Sequence, residues 1–336
     1  MSLSKGNYIL LIGCITILLA AFMFWSLILG TVPITSAQVL SALKITDTAV
    51  SEQVDTIITQ LRLPRVLLTM LTGAGLAIVG TLLQTTTRNE LADPFLFGLS
   101  SGASAGVVFV ITRFGEQFGE LTLPLSAFVG GSVSAFAVLI LFHISDSRRP
   151  EHLIVCGLSI SFLFSALTSY LVFSGDQRAA SSVIFWSLGG LGLARWDNLF
   201  LPLMSLILLS CFVAWRWKWL DGLLSGEQTA ISLGVNVARL RTEAFICSAL
   251  ATSFLVSLTG VIGFVGLMVP HVARRIAGVK HLLMIPLAAL LGAVLLCSGD
   301  MISRTLIEDQ ELPIGIITAG LGGFFIIILQ VRRSSC

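Results

Sequence analysis

The chain has 336 residues, of which 55% are hydrophobic and only 11% charged, with a formal net charge of +2. So few charges cannot clothe a soluble protein of this size, and no nucleic-acid partner is expected. The six cysteines form no CxxC pair and sit mostly in apolar stretches, so they read as small packing residues rather than disulfides or metal ligands.

In chain order, Lys5 opens a charge-free stretch that ends only at Lys44. A helix rises about 1.5 Å per residue, so about 20 apolar residues cross a hydrocarbon core of about 30 Å. The stretch runs on through Trp25 and Leu29 without a clear A-x-A cleavage site, so it reads as a first span and not a signal peptide. A charged connection over 44–65 is too short to hold a folded module. Further charge-free windows follow at 66–87, 94–112, 121–145, 153–175, 198–215, 282–299 and 312–331. In 94–112, Gly98, Gly102 and Gly106 form overlapping GxxxG patterns, which read as a face for close helix packing.

Two windows do not fit a simple span. Residues 179–194 are short and carry Gly189, Gly190 and Gly192, which suits a re-entrant helix dipping in from the outer face. Residues 244–273 are flanked by Arg239 and Arg241 at one end and by Arg274 and Arg275 at the other. Both ends want the cytoplasm, which requires one full span and one half-helix, broken near Gly260, Gly263 and Gly266. The expected fold is therefore a single all-α polytopic membrane domain over 1–336 with about ten membrane helices. With Lys5 inside, alternation places thirteen basic residues inside (Lys5, Arg88, Arg148, Arg149, Arg216, Lys218, Arg239, Arg241, Arg274, Arg275, Lys280, Arg332 and Arg333). Seven fall outside: Lys44, Arg62, Arg65, Arg113, Arg178, Arg195 and Arg304. That asymmetry puts both termini in the cytoplasm.

Enzyme chemistry finds no foothold. His143, His152, His271 and His281 lack metal-ligand spacing and read as interfacial residues near the cytoplasmic face. No lysine follows a glycine, so a standard Walker A loop is absent. No acid or base falls mid-window, where ion-coupled carriers place theirs; Asp300 lies near an outer end. Energy for transport is then expected from another subunit.

The strings RLPRVLLTMLTGAGLAIVGTLLQ at 62–84, RNELADPFLFGLSSGASAG at 88–106, GFVGLMVPHVARRIAG at 263–278 and GDMISRTL with ELPIGIITAGLGG across 299–323 resemble the FecCD-type permeases of ABC importers for iron–siderophore complexes, haem and cobalamin. The likeness runs from about residue 55 to the end and extends to the cobalamin permeases; Glu90 stands where the family usually has proline. It implies a bacterial inner-membrane permease subunit for a ferric siderophore, with a haem or cobalamin cargo as the alternative. It implies pairing with a second permease subunit, identical or paralogous, two cytoplasmic ATPase subunits and a periplasmic binding protein. ATP and Mg²⁺ would be bound by the ATPase, and no cofactor by this chain.

The resemblance also carries residue roles. GEQTAISLGVNVARLR at 226–241, within a cytoplasmic loop of about 218–241, is similar to the family's ATPase-coupling helices, with Gly226, Glu227, Ala230, Leu233, Gly234 and Val235 as contact positions. Independently, Gly234 suits a left-handed C-cap and Asn236 an N-cap. Arg62, Arg65 and Arg304 match arginines that receive acidic residues of the binding protein, a task suited to guanidinium groups. Ser165, Thr168, Ser169 and Phe173 fall where the family lines and gates its pathway.

Overall fold

The computed structural model describes residues 4–30, 32–46, 50–115, 119–145, 150–175, 177–307 and 310–334. Arg148 and Arg149, named above, and Cys336, one of the six cysteines, lie outside the described residues. Among the described residues the chain is helical throughout, with no strand beyond an isolated bridge between Ile307 and Gln310.

Eight helices are long and apolar enough to cross a membrane. They are α1 (Lys5–Ile28), α3 (Glu52–Thr87), α5 (Thr122–Ile144), α6 (Pro150–Ser174), α8 (Phe200–Leu224), α10 (Val237–Thr259), α12 (His281–Thr305) and α13 (Ile314–Ser334). Shorter helices fill the sequence between them: α2 (Ser36–Ala42), α4 (Leu99–Phe114), α7 (Gln177–Ser187), α9 (Glu227–Ser232) and α11 (Val265–Ala277). The short elements correspond to the awkward windows. α7 is the 11-residue helix expected as re-entrant, and α11 the 13-residue half-helix beyond a break at residues 260–264.

α3 and α10 form the centre of the bundle, with most of their apolar windows buried, whereas α1 and α13 lie at its margin. Small residues set the distances between them. A Cβ on Gly102 would sit 2.6 Å from the Gly130 carbonyl oxygen, and one on Gly80 only 1.9 Å from that of Gly266. Backbones meet at these crossings, the close approach that lipid-embedded helices use where no hydrophobic drive exists.

The second span begins well before the charge-free window. Ser51 caps it, accepting from the Val54 N–H, and the helix runs from Glu52 through a wider π stretch at Ile57–Arg62 into Leu63–Thr87. Leu63 N–H bonds back to the Ile58 carbonyl, five residues earlier. That wide turn lets the helix continue past Pro64, whose ring would otherwise clash with the preceding turn. It also turns Arg62 inward.

The non-helical backbone at the break is satisfied by its neighbours, as burial in a bilayer demands. Gly190 N–H donates to the Thr259 carbonyl at 2.8 Å, and Ile314 and Gly315 N–H donate to the carbonyls of Gly189 and Leu188, each at 3.1 Å. The ends of α7, α10 and α13 are thereby tied into one knot.

Candidate functional site

At the end expected to face outward, α3, α12 and the connection after α12 bring the three arginines close to two carboxylates. Asp300 is buried; its Oδ1 accepts from Arg65 Nε at 3.0 Å and Nη2 at 2.9 Å, and its Oδ2 pairs with Arg304 Nη2 at 2.9 Å. Arg65 Nη1 donates to both oxygens of Glu311, at 3.0 and 2.8 Å. Arg62 and Arg304 are each only 7% exposed. Arg62 donates to the carbonyls of Leu27, Ile28 and Val32, and Arg304 to those of Ser26 and Leu29 and to the Ser26 hydroxyl. These two arginines close the carbonyl end of α1 and so work inside the subunit; the Arg65 side chain keeps 16% of its surface open.

At the end expected to face the cytoplasm, the chain leaves α8 through Gly226, at φ 103°, and forms the single turn-and-a-half of α9. Its C-terminus closes as a Schellman motif: Gly234 sits at φ 82°, its N–H bonds the Ile231 carbonyl, and Val235 N–H bonds that of Ala230. Asn236 then caps α10, accepting from the Arg239 N–H at 3.0 Å. Ala230 and Val235 are buried against the bundle, whereas Leu233 is 68% exposed with Ile231 beside it. Glu227 is 3.4 Å from Arg241, whose Nε donates to the Thr86 carbonyl near the end of α3. The loop is thus a capped, packed wedge tied to the two central helices. The second short helix expected after Gly234 is instead the first turn of α10.

Between these ends, a cavity of about 780 Å³ opens beside the break. Its walls are mainly apolar, with Phe95, Leu188, Val261, Phe264 and Ile316 among them, and Asp93 as an acidic member. Phe264 has the left-handed φ of 68°, uncommon for an aromatic residue, and its ring lies where a Cβ on Gly322 would stand 2.2 Å away. Asp93 Oδ1 accepts from the Phe95 N–H at 2.9 Å and caps the 3-10 turn Pro94–Phe97. Burial pushes the Asp93 carboxyl up to about 6, against the opposing pull of the Phe95 and Phe264 amides.

Ser165, Thr168, Ser169 and Phe173 lie together on α6, and the cavity beside the break includes none of them. Phe173 is 90% exposed. Thr168 and Ser169 return their hydroxyls to the carbonyls of Phe164 and Ser165, which leaves that face less polar than its composition.

Sequence reasoning missed three features. The acids that hold Arg65 and Arg304 were legible only in the Asp300–Arg304 spacing of four residues along one helix. Glu311, across a loop, left no such signal. His281 is buried rather than interfacial: its Nδ1 and backbone N–H meet Asp221 Oδ1 at 2.7 and 2.9 Å, and its Nε2 meets the Thr85 hydroxyl at 2.9 Å.

The profile of the FecCD transport family matches residues 18–332. The iron(3+)-hydroxamate import system permease protein FhuG of Bacillus subtilis is 31% identical, over 98% of this chain and 99% of that protein. The hemin transport system permease protein HmuU of Yersinia pestis is 37% identical, over 81% of this chain and 82% of its own length. A metal-chelate type ABC transporter solved in an inward-facing conformation superposes with a TM-score of 0.80 at 30% identity, covering 96% of this chain and 99% of that one. Bundle, broken helix and cytoplasmic wedge therefore define the multi-pass permease subunit of an ABC importer. The chain belongs to the FecCD transport family.

Proposed function

We propose that this permease carries a ferric siderophore across the bacterial inner membrane, with both termini in the cytoplasm. A separate pair of ATPase subunits drives it and a periplasmic binding protein feeds it. The observation that carries the cargo class is the apolar cavity of about 780 Å³ beside the break in the helix. Walls of Phe, Leu, Ile and Val suit an organic chelate that has already wrapped its metal, and offer little to a bare hydrated ion. Relatives named for iron–hydroxamate and ferric enterobactin import support the same reading. The 37% identity to a hemin permease favours haem as the second reading.

In this reading α9 seats in the ATPase through Leu233 and its neighbours, with Ala230 and Val235 anchoring it from behind. Arg65 offers the docking contact for the binding protein, with Arg62 and Arg304 holding the rim that presents it. Ser165, Thr168, Ser169 and Phe173 line the pathway when a second permease subunit closes it. The test is ATP-driven uptake into proteoliposomes holding the complete importer, offered radiolabelled ferric hydroxamate, ferric catecholate, haem and cobalamin in parallel. Uptake of a ferric siderophore alone is expected; preferential uptake of haem or cobalamin would replace the cargo assignment.

A further inference from the structure

At the outer rim, Arg65 and Arg304 share two acids, Asp300 and Glu311, beside Arg62, which donates to backbone carbonyls of Leu27, Ile28 and Val32. The two acids differ in standing. Asp300 is buried, grips Arg65 through two of its nitrogens and also holds Arg304. Glu311 has a side chain 46% exposed, and it meets only Nη1, the nitrogen of Arg65 that Asp300 leaves free. It stands in the connection between α12 and α13, placed by its neighbour Leu312, whose N–H donates to the Ser303 carbonyl at 3.0 Å.

We propose that Glu311 is a built-in competitor for docking: it occupies the accessible donor of Arg65 and must leave before an acidic group of the binding protein can take its place. This rests on the reading of Arg65 as a docking residue. The physical case is one of exchange. Arg65 stays positioned without Glu311, because both its bonds to Asp300 remain. Among the described residues, the three arginines and two acids leave one net positive charge with Glu311 in place and two with Glu311 swung away. An incoming carboxylate therefore replaces one ion pair with another, and its apparent affinity is reduced by the fraction of subunits in which Nη1 is free. Such an arrangement keeps Nη1 of Arg65 paired between docking events, and it makes release of the empty binding protein easier. The partner it fits presents a carboxylate to the rim.

The complete importer in lipid nanodiscs, titrated with its binding protein, provides the test. Glu311→Gln and Glu311→Ala should each tighten binding about two- to fivefold, the size of one exposed ion pair, mainly through faster association. Glu52→Gln removes a charge at the exposed start of α3, on a different connection from Glu311 and away from Arg65, and controls for general electrostatics. If the Glu311 variants bind no tighter than Glu52→Gln, or bind more weakly than wild type, the competitor role is overturned. Arg65→Glu separates the two layers. Loss of binding in that variant with unchanged binding in Glu311→Gln rejects only the competitor, whereas wild-type binding by Arg65→Glu rejects the docking role itself.

Discussion

Asp93 and Asp300 are both buried carboxylates, and their surroundings give them opposite tasks. Asp300 sits between Arg65 and Arg304, so its charge is matched on both oxygens. Replacing it with Asn leaves Arg304 buried beside an amide, and we expect a loss of about 3 kcal/mol, the usual cost of breaking a buried pair from one side. Thermal unfolding in detergent should show this as a clear fall in midpoint, with Glu311→Gln as the mild comparison. Asp93 has no cation opposite it, and burial raises its pKa from 3.8 to about 6. A raised carboxyl contributes stability that is complete below the unfolded pKa of 3.8 and is lost as pH climbs through about 6. Asp93→Asn keeps an acceptor for the Phe95 amide and removes the charge. It should therefore be more stable than wild type at pH 7.5, by about 3 kcal/mol, with the gain shrinking toward pH 5. A constant difference across that range would show that the Asp93 charge is solvated after all.

Among the elements, α9 is the one whose shape carries its purpose. Gly234 holds φ 82° at the close of its Schellman motif, and a Cβ there would meet open space. The cost of a side chain is therefore purely conformational, about 1 kcal/mol or more for a β-branched residue. Gly234→Val should insert into the membrane normally and lose cargo uptake, because the wedge would present Leu233 at the wrong angle. Normal uptake by this variant would reduce α9 to a connector. How far such elements were legible depends on whether their cause is local. The left-handed glycine and the Asn236 cap are written in adjacent residues, so both were readable. The half-helix α11 was readable because arginines at both ends of one apolar window contradict a single crossing. The start of α3 was not, since a π turn that carries a helix through Pro64 depends on packing against α1. The inward turn of Arg62 follows from that π turn, so its burial was equally hidden. The cavity beside the break draws on the α3–α4 connection, α7, the 261–267 segment and α13. No single window announces a surface assembled from that many places.

At the scale of the whole molecule, the deciding question is where the energy for transport enters. Ion-coupled carriers place titratable groups near the bilayer midplane, where their protonation or ion binding can be linked to the turn of the pathway. Here the apolar stretches of the spans are free of acids and bases; of the two acids buried among the described residues, Asp300 on α12 is paired with Arg65 and Arg304, and Asp93 lies in the α3–α4 connection, where it caps the 3-10 turn Pro94–Phe97. In the proposed function the lever is α9, packed through Ala230 and Val235 and tied through Glu227 and Arg241 to the central helix α3. Arg241 on α10 joins Glu227 of α9 to the Thr86 carbonyl of α3, so the three elements share one contact path. The chain alone should therefore hydrolyse no ATP and should copurify with a soluble ATPase seated on its cytoplasmic face. In proteoliposomes, uptake by the complete importer should continue after an ionophore collapses the proton and sodium gradients, and should stop when ATP is replaced by a non-hydrolysable analogue. Uptake that follows the gradient and ignores the nucleotide would mean that the lever is idle and that an ion pathway remains to be found in the bundle.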